Sequence, residues 1–268
     1  MAISSLGPVL SATLVTASLE NSIEAYCGFL HQQVQSRNVV SEEMARQWGL
    51  ATLAGAPMAW LANELDEPWL RLIEIQRAQA VDPFRHSGWM SLEINVDDVD
   101  SLQSGMGESP FEIIGEPANL DVSDDIRAMQ VIGPSGEVLY LTEIKAEVPP
   151  FDLPFARCAV DRLFIPVLLA GNRDRALEVY EQFPKTSGVK FDTKITVINR
   201  ARQFEIDHRH PVATIQLRGK NLIEIDQLEG LNERPTNSGS LPTGIAIISF
   251  GVKDIPGSIG RITLGEGP

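Results

Sequence analysis

The sequence has few cysteines and no long apolar run. Only Cys27 and Cys158 occur in 268 residues, and they do not form a C-x-x-C pair. Two cysteines so far apart cannot build a disulfide framework, and such usage is typical of a reducing compartment, so we expect a cytoplasmic protein. No stretch of about 18 uninterrupted apolar residues is present, which predicts that no helix spans a membrane.

Basic residues are also scarce. The chain carries 22 Lys and Arg against 36 Asp and Glu, a net charge of -14. Nucleic acids and anionic membrane surfaces would repel such a chain, so neither partner is expected. A Walker A loop, a G-x-G-x-x-G behind a strand, a G-x-S-x-G elbow and an H-E-x-x-H helix are all missing. Nucleotide-dependent chemistry and serine hydrolysis therefore have no support, and we predict no cofactor.

An internal repeat organises the chain. In four segments an apolar, strand-like run is followed by a helix-capping residue and then by an amphipathic helix or a remnant of one. The capping residues are Ser18, Asp98, Asn172 and Asp254. Their side-chain oxygens can satisfy the free N–H groups of a helix's first turn. The near-constant spacing of the four caps indicates four copies of one structural unit.

Further strand candidates follow the helices of the first three units. They lie at 47–55, 57–64 and 69–76 in the first unit, at 126–133 and 137–145 in the second, and at 194–201, 211–219 and 221–227 in the third. Their β-branched and apolar alternation predicts a βαβββ order for each unit.

The chain is predicted to fold as two domains. A Pro-rich stretch indicates a stiff linker at 147–157, which separates a domain at 5–146, holding units one and two, from a degenerate domain at 158–268. Only 14 residues follow Asp254, so the fourth unit is expected to be incomplete. Two alternatives stay open: the domain is reduced and a partner, such as a second copy of the chain in a homodimer, covers its exposed sheet edge, or the chain has been shortened. The predicted fold class is α+β, with tandem βαβββ modules paired into two domains of mostly antiparallel, curved sheets around a cleft.

This repeat resembles the vicinal oxygen chelate superfamily, which includes glyoxalase I, bleomycin-resistance proteins and extradiol dioxygenases. The best-matching pieces are LVTASLENSIEAY at 14–26, LEINVDDVDSL at 92–102 and GPSGEVLYLTEI at 133–144. The resemblance covers nearly the whole chain and implies a cleft shared by two paired modules. It implies little about activity, because unrelated functions occur on this scaffold.

For the metal-dependent members, the resemblance implies His or Gln on each first strand and Glu on each last strand. The first-strand positions correspond here to Ser11, Ser91, Ile165 and Ile247, and the last-strand positions of units one and two to Arg71 and Tyr140. A different register places Glu74 at the ligand position, and the strand around Glu224 resembles the metal-bearing one. One carboxylate does not hold Zn²⁺ or Mn²⁺, which needs about three protein ligands, so no metal site is predicted.

Alternation in the second unit predicts the residues that line the cleft. The ligand-binding candidates are Trp89, Ser91 and Asn95, which share one face of a strand with Glu93, together with Ser11 and Thr13 from the first unit. A polar face with one aromatic and one acidic residue fits a small-molecule pocket, although a solvated sheet face would show the same pattern.

Arg71, Glu93 and Tyr140 are the candidate catalytic residues. Arg71 would orient a carboxylate or enolate oxygen, Glu93 would transfer a proton and Tyr140 would donate a hydrogen bond. The alternatives are a structural ion pair between Arg71 and Glu93 and an ordinary strand role for Tyr140. His208 and His210 could hold a metal, but their charged, Pro-flanked segment is more typical of an exposed loop.

We therefore expect a glyoxalase-like, bleomycin-resistance-like or dioxygenase-like protein that binds a small organic molecule in the N-terminal cleft without a divalent metal. It would act as a binding protein or as a metal-independent enzyme. Two alternatives stay open. One is a metal-dependent lyase, isomerase or dioxygenase with atypical ligands, and the other is a structural module whose cleft is filled by its own side chains.

Overall fold

The computed structural model describes residues 4–235 and 240–252. The predicted cap Asp254 and the segment after it lie outside these residues. The strands are β1 (Leu6–Thr16), β2 (Gln33–Val39), β3 (Pro57–Ala62), β4 (Pro68–Glu74), β5 (Gly88–Val96), β6 (Glu112–Leu120), β7 (Ser123–Ile132), β8 (Val138–Ile144), β9 (Val160–Ala170), β10 (Gly188–Lys194), β11 (Arg209–Gln216), β12 (Leu222–Gln227) and β13 (Gly244–Val252). The helices are α1 (Leu19–Phe29), α2 (Glu42–Trp48), α3 (Val99–Ser104), α4 (Arg173–Glu181) and α5 (Thr196–Arg202). Within the described ranges, every helix is too short or too polar to cross a membrane.

Two curled sheets organise this α+β fold. The five-stranded sheet has the order β13-β1-β4-β3-β2, and the eight-stranded sheet has the order β10-β11-β12-β9-β5-β8-β7-β6. Strand β1 runs antiparallel to β13 and parallel to β4, and β5 runs antiparallel to β9 and parallel to β8. The first unit therefore pairs with the strand of the fourth unit, and the second unit pairs with the third.

This pairing differs from the expected pairing of units one and two around one cleft. The linker after β8 leads directly into β9, which lies beside β5 in the same sheet. Units two and three therefore share one sheet. Strand β1 is then left to pair with β13.

The predicted helix caps form in the three units whose helices are described. The side chains of Ser18, Asp98 and Asn172 each accept a hydrogen bond from the backbone N–H group three residues later. These bonds satisfy donors that have no partner inside the helix, which explains why the caps mark the repeat so clearly.

A second acceptor at each helix N-terminus comes from the last strand of the same unit. The side chains of Glu74, Glu143 and Gln227 accept hydrogen bonds from the first helical N–H group, at 2.9, 3.3 and 2.9 Å. A carboxylate suits this end of a helix because the helix dipole is positive there. The Glu74 carboxylate thus caps the N-terminus of α1. The register that placed Glu74 at a ligand position is therefore wrong.

Two segments predicted as strands contain helices instead. Segment 47–55 holds the end of α2 and a 3-10 turn, and segment 194–201 holds most of α5. Gly49 ends α2 with a φ of 72°, a left-handed conformation that favours glycine. In α5, Val197 and Ile198 are buried. Their packing outweighs the preference of β-branched residues for strands.

Apolar side chains pack on both faces of the eight-stranded sheet. One face shares a large cluster with the five-stranded sheet, and this cluster includes Leu92 and Tyr26. The opposite face packs against α5 and the linker, through residues such as Ile198 and Leu153. The chain's own side chains therefore cover much of this second face, which we call the inner face of the eight-stranded sheet.

Candidate ligand sites on the two sheets

The strand register relates the first and last strands of the three units. The opposed residues are Thr13 and Arg71 in unit one, Glu93 and Tyr140 in unit two, and Val167 and Glu224 in unit three. Arg71, Tyr140 and Glu224 therefore occupy equivalent positions, and the first two correspond as the sequence predicts. Arg71 is a cation, Tyr140 a phenol and Glu224 a carboxylic acid. The three units therefore differ in charge at this equivalent position.

Arg71 lies against two tryptophans on the five-stranded sheet. Its Cζ atom is 4.4 Å from the ring centroid of Trp60 on β3 and 5.2 Å from that of Trp48 in α2. Its Nη1 donates a hydrogen bond to Thr13 Oγ1 at 3.3 Å, and its buried Nε has no hydrogen-bond partner. Partial burial lowers the pKa of Arg71 from its usual value. The cation is therefore oriented but not neutralised.

Ser11 and Thr13 lie on the same face of the five-stranded sheet as Arg71. Thr13 is opposite Ile247 on β13, and Ser11 is opposite Ser249. Ser11 and Thr13 are both buried. This face thus combines small hydroxyl side chains with a guanidinium and two indole rings.

Glu93 and Tyr140 meet on the inner face of the eight-stranded sheet. They are opposed across β5 and β8, and Thr142 Oγ1 donates to Glu93 Oε2 at 3.2 Å. Asp226, which is buried, and Glu224, which is half-buried, complete this group of acids from β12. The four titratable residues of this group, Glu93, Tyr140, Glu224 and Asp226, are called the acid cluster.

Burial raises every pKa in the acid cluster. Desolvation raises the pKa of Glu93 well above its ordinary value, and the charge of Glu224 adds to the effect. Desolvation raises the pKa of Glu224 to about 7. Desolvation and the neighbouring carboxylates also raise the pKa values of Asp226 and Tyr140. The acids of the cluster therefore keep their protons to higher pH than exposed carboxyls do, because they are close together and shielded from water.

The expectation that Arg71 and Glu93 face one cleft is wrong. Arg71 lies on β4 of the five-stranded sheet, and Glu93 lies on β5 of the eight-stranded sheet. Ser11 and Thr13 accompany Arg71, whereas Ser91 and the acid cluster belong to the other sheet. The separation follows from the pairing of unit two with unit three instead of unit one.

Trp89 does not share the face of Glu93. A register shift between Trp89 and Ser91 in β5 interrupts the alternation, as a β-bulge does. Trp89 packs on Phe250 of β13, at 6.2 Å between ring centroids, while Met90 joins the cluster on the inner face. The sequence alternation therefore predicted the wrong side for Trp89.

The linker covers the inner face of the eight-stranded sheet. Asn95 Nδ2 donates to the carbonyl oxygen of Pro154 at 2.7 Å, so the Asn95 amide holds the linker. Phe151 and Leu153 of the linker line a cavity of about 60 Å³ together with Glu93. Side chains of the chain itself thus fill most of this cleft and leave a small cavity beside the acid cluster.

His210 is a buried strand residue, not part of an exposed loop. It is only 2% exposed, and its Nε2 lies 2.7 Å from Asn199 Oδ1. Burial lowers the pKa of His210 to about 4, so the ring is neutral near pH 7. The His208 ring lies 4.8 Å from the His210 ring, and the Phe204 ring stacks on His208. His208 and His210 therefore pack against each other, and Asn199 forms a hydrogen bond with the imidazole of His210.

The residues present do not fit a divalent metal at the positions that the resemblance implies. In the eight-stranded sheet these positions hold Ser91, Tyr140, Ile165 and Glu224, and in the five-stranded sheet they hold Ser11, Arg71 and Ile247. Each set lacks histidine and offers at most one carboxylate. In residues 4–235 and 240–252, three or more ligand atoms of His, Cys, Asp or Glu lie within 4.8 Å of one another at one place, formed by Asp98, Asp100 and Glu143. Of these, Asp98 caps α3 and Asp100 pairs with Arg127.

Trp48, Asp226 and Thr214 are among the site residues that the sequence did not predict. Trp48 fell in a segment predicted as a strand, so its approach to Arg71 was hidden. Asp226 and Thr214 were not singled out, although alternation with Glu224 and Leu222 would have put Asp226 on the same face. Thr214 lies directly opposite Glu224, a pairing that only the register of β11 and β12 reveals.

Comparisons with known proteins agree with the fold. No family model and no curated protein sequence matches the chain. Glyoxalase I from Zea mays superposes on 92% of this chain and 74% of its own, with a TM-score of 0.60 and 16% identity. A putative dioxygenase from Bacillus subtilis superposes on 85% of this chain and 66% of its own, with a TM-score of 0.57 and 11% identity. The chain therefore has a glyoxalase-like fold.

Proposed function

We propose that the protein binds a small organic anion with a planar, apolar body on the Arg71 face of the five-stranded sheet, without a divalent metal. The observation that carries this proposal is the state of Arg71. Other arginines, such as Arg127 and Arg157, bind carboxylates of this acidic chain. Within the described residues, Arg71 forms no ion pair and donates only to Thr13.

The surroundings of Arg71 favour an anionic ligand. A guanidinium binds carboxylates through parallel N–H donors, and this interaction strengthens as water is excluded. Trp48 and Trp60 are half-buried and hold the guanidinium between them, so little side-chain freedom is lost on binding. The indole rings also offer flat apolar surface to the body of the ligand.

The chemistry near Arg71 supports binding rather than catalysis. Within the described residues, no hydrogen bond joins Ser11 or Thr13 to a histidine or a carboxylate that could activate its hydroxyl. The carboxyl of Glu93, which would have served as a base, belongs to the other sheet. A binding protein therefore accounts for the face without requiring a proton-transfer group.

Replacing Arg71 with Gln is expected to weaken anion binding about tenfold to 150-fold, because a hydrogen bond to a charged group contributes about 1.5–3 kcal/mol. Isothermal titration of chelator-treated protein with acetate, benzoate and phenylacetate measures this. The aromatic acids are expected to bind more tightly than acetate.

Arg175→Gln, which removes an exposed arginine from α4, is the matched control and is expected to bind the anions like the parent. Equal affinity of the parent and the Arg71→Gln protein would contradict the proposal. Binding that appears only after a divalent metal is restored would favour the metal-dependent alternative instead.

A further inference from the structure

The acid cluster is unusual because no basic side chain neutralises it. Within the described residues, Glu93, Glu224 and Asp226 form no ion pair with Lys, Arg or His. By contrast, the buried carboxylate of Asp161 is bonded to Arg157. Buried carboxylates without a partner are costly to ionise, so a group of them calls for either protons or a cationic ligand.

The cavity beside the cluster has room for such a ligand. Its volume of about 60 Å³ is several times the roughly 10–15 Å³ that one water molecule requires. Its polar lining consists of Glu93, Thr142, Thr214 and Glu224. Its apolar lining includes the rings of Phe151, Phe164 and Phe191. The cavity therefore combines carboxyl groups with aromatic walls.

A second observation points to a missing hydrogen-bond partner in the cavity. Thr214 is 5% exposed and lines the cavity, yet its Oγ1 has no hydrogen-bond partner. Thr214 lies opposite Glu224 across β11 and β12, so its hydroxyl and the carboxyl of Glu224 are neighbours. A buried hydroxyl without a partner costs free energy unless a ligand or water bonds to it.

The acceptors suit an ammonium group better than a metal ion. The carboxylate oxygens of the cluster do not join any group of three ligand atoms within 4.8 Å in the described residues, so they do not enclose one small ion. A primary ammonium group carries three N–H donors, and the carboxyls of Glu93 and Glu224 with the hydroxyl of Thr214 offer three acceptors. Aromatic walls attract the same cation and accommodate its alkyl chain.

We propose that this cavity binds the protonated primary amino group of a small alkylamine, between Glu93, Glu224 and Thr214. This site lies on the other sheet from Arg71 and does not depend on the anion site.

Titration calorimetry with n-propylammonium chloride tests the inference. The parent protein is expected to bind one equivalent saturably. Glu224→Gln and Thr214→Val are each expected to weaken binding at least tenfold, because each removes one acceptor. Tetramethylammonium, which has the charge but no N–H donor, and n-propanol, which has no charge, are expected to bind at least tenfold more weakly than n-propylammonium.

Two control variants separate the site from general effects. Glu112→Gln removes an exposed carboxylate on β6, and Arg71→Gln alters the other sheet; both are expected to bind the amine like the parent. Glu224→Gln replaces a half-buried acid by an amide of the same size and is expected to fold, which circular dichroism checks. The absence of saturable amine binding, unchanged binding in Glu224→Gln, or competitive displacement of the amine by Zn²⁺ or Mn²⁺ would each overturn the proposal.

Discussion

Raising the pH from 5 to 9 is expected to lower the free energy of unfolding, and Glu137→Gln is expected to abolish about 3 kcal/mol of that loss. Glu137 is 1% exposed in the turn before β8. Its Oε1 accepts from Tyr26 Oη at 2.8 Å, and its Oε2 accepts from the Ser135 N–H at 2.9 Å. Desolvation outweighs these bonds and raises the pKa of Glu137 from 4.5 to about 7.

The sign follows from proton binding in the two states. Below pH 4.5 both the folded and the unfolded protein carry the Glu137 proton, so Glu137 does not lower the free energy of unfolding there. Between pH 4.5 and 7 the unfolded chain releases that proton first, so the free energy of unfolding falls as pH rises. One pKa unit corresponds to about 1.4 kcal/mol, so the loss is complete above pH 7 at about 3 kcal/mol. Glu224, with a pKa of about 7, acts in the same direction.

Urea unfolding of the parent and Glu137→Gln at pH 5, 7 and 9 measures the effect. The two proteins are expected to be similar at pH 5, and the variant is expected to be more stable by about 3 kcal/mol at pH 9. Glu112→Gln, at an exposed position, is the matched control and is expected to follow the parent. A variant whose stability falls with pH as steeply as the parent's would show that Glu137 ionises normally in the folded protein.

The sequence predicted the parts of the fold that depend on local signals. The caps at Ser18, Asp98 and Asn172 can be predicted from residue type alone, because each side chain accepts a hydrogen bond from an N–H group only three residues later. The long first strands β1, β5 and β9 are buried on both faces over much of their length. Their apolar runs are therefore visible without knowledge of the fold.

The strands that the sequence did not predict are β2, β6 and β10. Strand β2 ends the five-stranded sheet, and β6 and β10 end the eight-stranded sheet. Their residues are mostly exposed or half-buried, so they lack apolar alternation. Edge strands commonly carry polar and charged residues that prevent further pairing, and this removes the pattern by which a strand is recognised.

The candidate sites were predicted only in part because they depend on pairing at long range. Alternation correctly grouped Ser91 with Glu93, but a bulge reversed the side of Trp89. The sequence does not show which strand pairs with β5. The four units have the same order of strand-like runs and caps, so they could pair in more than one way. Arg71 and Glu93 were therefore assigned to one cleft, although each belongs to a different sheet.

Replacing Asp161 with Ala is expected to lower the free energy of unfolding by about 3 kcal/mol, because it breaks a buried polar junction. Asp161 is 3% exposed at the start of β9. Its Oδ1 accepts from Asn63 Nδ2 at 2.7 Å, and its Oδ2 accepts from Arg157 Nε at 2.8 Å. Asn63 is fully buried. Without Asp161, its amide would lose a partner that water cannot replace.

Glu67→Ala is the matched control, since Glu67 bonds to the same guanidinium of Arg157 at 2.6 Å. The side chain of Glu67 is 36% exposed, whereas that of Asp161 is 4% exposed. Removing Glu67 is therefore expected to lower the free energy of unfolding by less than about 1 kcal/mol. Urea unfolding compares the two variants. Hydrogen exchange in the linker 147–157 is expected to accelerate in Asp161→Ala alone, because Arg157 ends the segment that covers the acid cluster. Equal losses of unfolding free energy in the two variants would show that the burial of Asp161 does not make its contribution to stability larger than that of the exposed Glu67.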